Sequence, residues 1–232
     1  MLLLAVSPAV AQTGTPGRQV QLRLLAFDNA HIPPEAYAFD PAAPPATPGV
    51  EVEVKDYLNH EGVTLQLLGS EVLFAKSGKA EDAKDPALQL AKVNLPRTGN
   101  QFMLIFLPDG KGAYRILPLD DSMKEFPLGS YRVISLSRLP VKLMLEKKSW
   151  DLAPGQTSII EDPPVQENQH SAMQALAQID GKWERISTGL WPHPGKKRAV
   201  QLFFDNPVSK QTELRGFKDV APPEIAPNPR KP

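Results

Sequence analysis

Apolar residues recur along this chain in short runs, alternating or continuous, and each run is bounded by Gly, Pro, Asn or Asp. The 3.6-residue spacing of an amphipathic helix is scarce. The runs predict strands at residues 19–27 (QVQLRLLAF), 50–57 (VEVEVKDY), 63–67, 71–75, 88–94, 102–107 (FMLIFL) and 113–117. A second series follows at 130–135 (SYRVIS), 141–145 (VKLML), 149–152, 157–160, 172–179, 182–187 and 198–204. Many short strands with turn residues between them indicate an all-β, antiparallel β-sandwich. Two groups of about seven strands point to two Ig-like sandwiches in tandem. They would cover residues 18–119 and 127–208, with a break at 120–127 (DDSMKEFP). One extended sandwich is the alternative.

The connections carry turn chemistry. Asp109-Gly110 in PDGKG suits a hairpin, because Asp-Gly supplies positive φ between apolar strands. Ala153-Pro154-Gly155-Gln156 suits a type II turn, with Pro second and Gly third. It would join a strand bearing Trp150 and Leu152 on one face to the returning strand 157–160. Residues 77–86 (SGKAEDAKDP) read as an exposed loop, and one helical turn is expected at 120–125, capped by Asp120 or Ser122. Two segments echo each other, VQLRLLAFDN at 20–29 and VQLFFDN at 200–206. Duplication and convergent strand-end chemistry account for this equally well, since Asx residues favour turns after strands.

The N-terminal MLLLAVSPAVAQ joins a short apolar run to the small-x-small pattern Ala9-Val10-Ala11. It reads as a signal peptide over residues 1–11, cleaved after Ala11, which makes the mature chain periplasmic or secreted. The run is far shorter than the about 20 residues a spanning helix needs. A strand-forming N-terminus of a cytosolic protein is the alternative.

Composition narrows the partners. The 232 residues hold 26 Lys plus Arg against 26 Asp plus Glu, so no one-signed field favours nucleic acid or a polybasic membrane contact. There is no cysteine, which excludes disulfides, thiolate nucleophiles and Cys-ligated zinc. The 25 prolines concentrate at 33–48 and 222–232, predicting loop in the first stretch and a Pro-rich tail over 221–232 in the second.

Motifs for chemistry are sparse. His31, His60, His170 and His193 show no metal-ligand spacing, and no nucleophile elbow, P-loop or dinucleotide fingerprint occurs. Asp120, Asp121 and Glu125 offer hard oxygens but lack the spacing of a calcium loop, so a solvated turn accounts for them. No metal or cofactor is implied. HPGKKRAV (193–200) reads as a solvated basic hairpin end, and Lys142, Lys147 and Lys148 as charges that discourage edge pairing. The candidate binding residues are Trp150, Trp183 and Trp191, because exposed rings serve as platforms in carbohydrate-binding sandwiches. Alternation places Trp183, Arg185 and Ser187 on one face of their strand, and Glu184 and Ile186 on the other, with Ile186 as the core residue. Coverage of a sandwich edge is the competing account of Trp183.

Between residues 101 and 219 a set of segments recurs in order: FLPDGKGAYRILPLDDS, FPLGSYRVISLSRLPV, WDLAPGQ, GKWERISTGLWP, KKRAVQLFFDN and ELRGFKD. In this the chain resembles a family of exported bacterial β-sandwich proteins with no assigned activity. The first third matches more loosely, through its opening strand and IPPEAYAF. The resemblance implies a β fold and an exported location, and it supplies no catalytic residues. Three functions stand open. The first is a non-catalytic exported protein binding a protein or envelope component. The second is a carbohydrate- or peptidoglycan-binding module, and the third a hydrolase whose site assembles in space.

Overall fold

The structure, a computed structural model, describes residues 17–58 and 61–219. The expected signal peptide at 1–11, His60 and the tail at 221–232 lie outside the described residues. The strands are β1 (Arg18–Ala26), β2 (Tyr37–Phe39), β3 (Val50–Glu51), β4 (Val63–Leu67), β5 (Glu71–Ala75), β6 (Gln89–Asn94), β7 (Gln101–Pro108) and β8 (Tyr114–Asp120). They continue as β9 (Tyr131–Ser135), β10 (Val141–Leu145), β11 (Lys148–Leu152), β12 (Thr157–Ile160), β13 (His170–Ile179), β14 (Lys182–Pro192), β15 (Ala199–Asp205) and β16 (Thr212–Lys218). The helical segments among the described residues are two 3-10 turns, Asn29–His31 and Asp82–Lys84.

Four four-stranded sheets result, ordered β4-β1-β7-β8, β3-β2-β5-β6, β12-β9-β15-β16 and β11-β10-β13-β14. The orders in the second half repeat those of the first with every number raised by eight. Pairing is antiparallel except between β1 and β7 and between β9 and β15, which are parallel and hold the same place in the repeat. The all-β sandwich class is as the strand pattern predicts. The order is unlike the ABED and CFG sheets of a constant immunoglobulin domain, whose first two strands share a sheet; here β1 and β2 lie in different sheets.

Three cores hold the layers together. Val20, Leu22, Phe102, Leu104 and Phe106 of β4-β1-β7-β8 meet Val72, Phe74, Leu90 and Val93 of β3-β2-β5-β6. Tyr131, Val133 and Phe203 meet Val141, Leu143, Leu145 and Ala175 in the second half. A third core joins the halves: Leu25, Met103 and Ile105 pack with Ile134, Val200 and Leu202, and with Phe126 from the linker. Thus β4-β1-β7-β8 and β12-β9-β15-β16 are inner sheets with both faces covered. This explains why β7 reads as the continuous run FMLIFL instead of an alternating one.

Several local expectations need correction. Residues 50–57 form no single strand. Val52 N donates to Ala36 O, whereas Lys55 N donates to Leu24 O and Ala26 N to Lys55 O, so the segment crosses from one sheet to the other. The proline-rich stretch 33–48 contains β2, whose Ala38 and Phe39 are buried between β3 and β5. The loop 77–86 is largely exposed, as expected, but also lays its buried Ala83 against Phe39, Leu73 and Ala75 on the outer face of β3-β2-β5-β6. The second group of strands ends with β16 at Lys218, beyond 208. Gly216 interrupts the apolar alternation of β16, because a Cβ there would lie 2.5 Å from the Gln201 Oε1 that rests on it. The turns are as expected. Asp109 N donates to Ala113 O, Gly155 has φ +79°, and Phe126 N donates to Ser122 O to close the single turn after β8.

The echoing segments are β1 and β15, whereas the repeat equates β1 with β9 and β7 with β15. Their likeness therefore does not follow the repeat. Their ends do meet: Phe27 and Phe204 stack edge-to-face at 4.8 Å, and the Arg215 guanidinium covers both rings.

Two stability predictions follow from this arrangement. Ile105→Ala, a cavity in the shared third core, should cost about 2–5 kcal/mol in urea unfolding; a cost as small as a surface change would refute the role of that core. Asp205 accepts from Ser137 Oγ, Arg138 N and Nε, and Thr212 Oγ1 at 2.7, 3.1, 3.0 and 3.1 Å. Burial alone would raise its carboxyl, and these bonds outweigh burial and hold it below the ordinary 3.8. Its stabilisation is therefore present above the unfolded-state pKa and disappears as pH falls through the lower folded value. The destabilisation by Asp205→Asn should accordingly be largest at neutral pH and shrink below about pH 4, as read from urea midpoints across pH.

Candidate functional site

The densest set of charges lies buried where the halves meet. Arg23, on the interface side of β1, donates from Nε and Nη2 to Asp121, the latter at 2.7 Å, and from Nη1 to Asp219 at 3.0 Å. Arg198 donates from Nε to Asp219 at 2.9 Å, and from Nη1 to the carbonyls of Asp121 and Phe126 at 3.1 and 3.3 Å. The side chains of Arg23, Asp121, Arg198 and Asp219 are nearly or wholly inaccessible to solvent. Burial would lower the Arg23 pKa, but the hydrogen bonds and charges of Asp121 and Asp219 raise it.

The cluster follows the repeat. Arg23 faces Met103 across the β1–β7 ladder, as Arg132 faces Val200 across β9–β15. Asp121 follows the last residue of β8, as Asp219 follows the last residue of β16. Yet Arg132 is bound differently. Its Nη1 and Nη2 donate to the carbonyls of Asp120 and Glu125 at 2.7 and 3.0 Å, and its guanidinium lies 4.5 Å from the Phe126 ring centre. Burial holds its pKa down to about 10, so it stays charged at neutral pH. Two arginines and two aspartates close on themselves here, with no substrate-sized space beside them; the adjoining cavity is about 130 Å³. This is a fastening between the halves, because structural ion networks perturb pKa values as active sites do.

Among the described residues, His31, His170 and His193 are not brought together with one another. His31 Nδ1 lies 2.7 Å from Asp28 and His193 Nε2 3.6 Å from Asp162, both near the surface. His170 Nδ1 bonds the Asn168 carbonyl at 2.7 Å. Among the described residues no group of three or more acidic, His or Cys side chains is placed to hold a metal ion. The largest cavity, about 600 Å³, runs between residues 32–37 and 51–57 and is rimmed by Glu35, Glu51, Glu53, Asp56 and Lys55. Lys55 is already engaged by Glu53 and Glu61 at 3.3 and 2.7 Å.

The three tryptophans separate. Trp150 stands opposite Leu143 and packs half-buried against the second core. Trp183 lies on the outer face of β11-β10-β13-β14, 38% exposed, with Lys142 Nζ 4.4 Å from its ring centre. Lys142 also pairs with Asp151 at 3.3 Å. A bulge between Ala175 and Leu176 shifts the register of β14, so Arg185 shares the outer face while Ser187 turns inward opposite buried Ala175. Strict alternation could not show this, because one extra residue inverts every later side chain. Ile186, at the bulge, packs into the core as expected.

Trp191 stacks on Tyr131 at 4.9 Å, and both line a groove of about 420 Å³ between β14 and β16. Met173, Gly189, Leu214, Gly216 and Lys218 complete its walls. The Tyr131 hydroxyl donates to the Pro192 carbonyl at 2.5 Å, and burial pushes its pKa up to about 12, so it stays a neutral donor. Sequence reasoning missed this groove, because β16 was not recognised as its second wall.

The two halves differ on this side. The outer face of β3-β2-β5-β6 is covered by the 77–86 segment, whereas the outer face of β11-β10-β13-β14 carries exposed Ala172, Gln174, Trp183, Arg185, Thr188 and Leu190. The chain matches no protein-family model and no curated protein.

Cutting one arm of the buried ion cluster should be severe. Asp219→Ala leaves Arg23 and Arg198 facing each other without their shared carboxylate and should cost roughly 3–5 kcal/mol. Denaturant unfolding measures this, and a loss below about 1 kcal/mol, typical of exposed pairs, would contradict the fastening role.

Proposed function

We propose that this is a non-catalytic exported β-sandwich protein that binds a protein or cell-envelope component. The observation that carries this is the unequal covering of the two halves. The β3-β2-β5-β6 sheet is shielded by its own 77–86 segment, while β11-β10-β13-β14 presents a bare face and ends in the long edge strand β14. A free edge strand is a template for pairing unless something covers it. Leu190, 65% exposed on that face, is a large apolar residue that the fold itself does not use. Export to the periplasm or outside rests on the N-terminal signal pattern and the lack of cysteine. The recurring strand order supports two sandwiches in tandem, and the 101–219 segment pattern supports membership of the exported β family.

A second reading is favoured by one arrangement. Trp183 under the Lys142 ammonium, beside Asp151, Arg185 and Gln178, gives an aromatic platform ringed by donors and acceptors, as a glycan requires. On this reading the ligand is a cell-wall carbohydrate.

The test places a photo-crosslinking residue at Gln174 or Leu190, and as a control at Ala83, in the full-length protein expressed in its own cells. Discrete cross-linked products are expected from 174 and 190 and none from 83. The protein-binding reading fails if the exposed positions yield none. Soluble peptidoglycan fragments should quench Trp fluorescence only on the second reading. There, Trp183→Ala should weaken binding at least tenfold with an unchanged urea midpoint, and a flat response across a glycan panel would discard it.

A further inference from the structure

The groove between β14 and β16 has features that folding alone does not explain. In the first half the equivalent strands β6 and β8 lie against each other, and Leu90, Val93, Ile116 and Tyr114 share one core. In the second half β14 and β16 approach each other over less of their length, and a cavity of about 420 Å³, within the range of ligand sites, lies between them. Each wall is a sheet edge, since β14 pairs along one side with β13 and β16 along one side with β15.

Gly189 sits in the middle of β14, where glycine weakens a strand. Its partner across the ladder is Met173, and an added Cβ would meet no atom closer than the Met173 Cε at 3.7 Å. That is ordinary contact, and its φ is not in the left-handed region. Nothing inside the protein requires glycine there. A strand glycine without an internal reason marks close approach of another backbone or a ligand. Gly216, on the opposite wall, by contrast lies directly under the amide of the Gln201 side chain.

The ends of the groove differ in charge. Lys218 lines the end where β16 stops, beside Ala199. Lys196 and Lys197 lie in the turn that closes this end, held by Lys197 N donating to Pro194 O. No ion pair among the described residues engages Lys196, Lys197 or Lys218. The nearby Asp162 carboxylate faces His193.

We propose that this groove docks an extended peptide strand that adds to the free edge of β14, passes over Gly189, and places a carboxylate at the Lys218 end. Trp191, Tyr131 and Leu214 form the apolar floor for its alternate side chains. The carboxylate is a chain terminus or an acidic side chain. The proposal rests on the protein-binding reading above and gives it a place and a partner chemistry.

The experiment selects random decapeptides with free C-termini on the full-length protein, then measures the best binder as a synthetic peptide. Enriched sequences should combine alternating β-branched or apolar residues with a carboxylate near one end. Amidation of the terminus, or Asp/Glu→Asn/Gln exchange, should weaken binding at least tenfold, and the arm that does so identifies the source of the carboxylate. Gly189→Val should abolish binding while leaving the urea midpoint unchanged or raised. Lys218→Glu should weaken binding at least tenfold, and Trp183→Ala should not change it. Backbone amides of 187–191 should exchange more slowly in the complex. The proposal is overturned if no sequence is enriched, or if Gly189→Val and Lys218→Glu both bind like the wild type. Binding lost with Trp183→Ala and kept in Gly189→Val would move the partner to the outer face. That result would sink the groove and spare the broader reading. Absence of cross-links from 174 and 190 combined with groove binding would remove the outer face as the contact surface and leave the groove as the place where the partner binds.

Discussion

Two sheets of this protein are apolar on both faces, and the rest of the architecture is the means of covering them. A strand such as β7 buries Phe102, Leu104 and Phe106 on one side and Met103, Ile105 and Leu107 on the other. Each fully buried side chain of this size is worth about 1.5–3 kcal/mol relative to exposure, so neither face can be left in water. The outer sheets cover one side of each inner sheet, and the inner sheets cover each other. The four layers and the third core between the halves are one consequence of that requirement. Phe126 shows how completely it is met. The linker between the two sets of strands, which has no regular structure, contributes its one large ring to the seam, where two guanidiniums lie over it.

Much of this was legible in sequence and some was not, for definite reasons. Strands β1, β4, β5, β7, β9, β10, β12 and β13 announce themselves because their apolar residues face a core at strand spacing and their ends carry Gly, Pro or Asx. The double burial was latent in FMLIFL, since an uninterrupted run cannot belong to a sheet with one wet face. Strands β2 and β16 stayed hidden because prolines flanking the three-residue β2 and a glycine inside β16 imitate loops. The crossing segment alternates at its centre, with Val52 and Val54 buried and Glu51 and Glu53 exposed. Alternation reports which side chains are buried and says nothing about which sheet receives the hydrogen bonds. In β14 the bulge decided which face Ser187 and Trp191 took, and bulges leave no reliable mark in a single sequence.

The repeat gives the molecule an internal control. Equivalent elements share topology, so differences between the halves reveal where the fold's own needs end. The first half lays its 77–86 segment on its outer sheet and brings β6 and β8 together over more of their length, whereas in the second half the outer face is open and the larger groove lies between β14 and β16. Strand β14 runs to Pro192, whereas its counterpart β6 spans Gln89–Asn94, and the extra length borders the groove. Among the described residues the most exposed leucine, Leu190, and the most exposed tryptophan, Trp183, both lie on that half. The two halves thus share a topology and a common core and differ in how much of the outer sheet the chain itself covers.

The ion cluster at the seam supplies what apolar packing cannot. Two greasy sheet faces attract each other at many angles and offsets with similar energy, because the hydrophobic effect is non-directional. Arg23 from the first half must find Asp121 of its own half and Asp219 of the other, while Arg198 must reach the same Asp219. Buried charges left unpaired are costly, so displaced arrangements that break this four-membered ring are strongly disfavoured. The repeat offered two equivalent arginines for the task, Arg23 and Arg132, and the chain uses them unequally. One clamps the carboxylates of both halves, and the other folds onto backbone carbonyls of the linker. Had both competed for Asp121 and Asp219, three guanidiniums, with Arg198, would have faced two carboxylates. The asymmetry keeps the seam neutral where its carboxylates lie and fastens the linker at the same time. It thereby fixes the relative placement of the two halves, and with it the setting of the open edge that the second half presents.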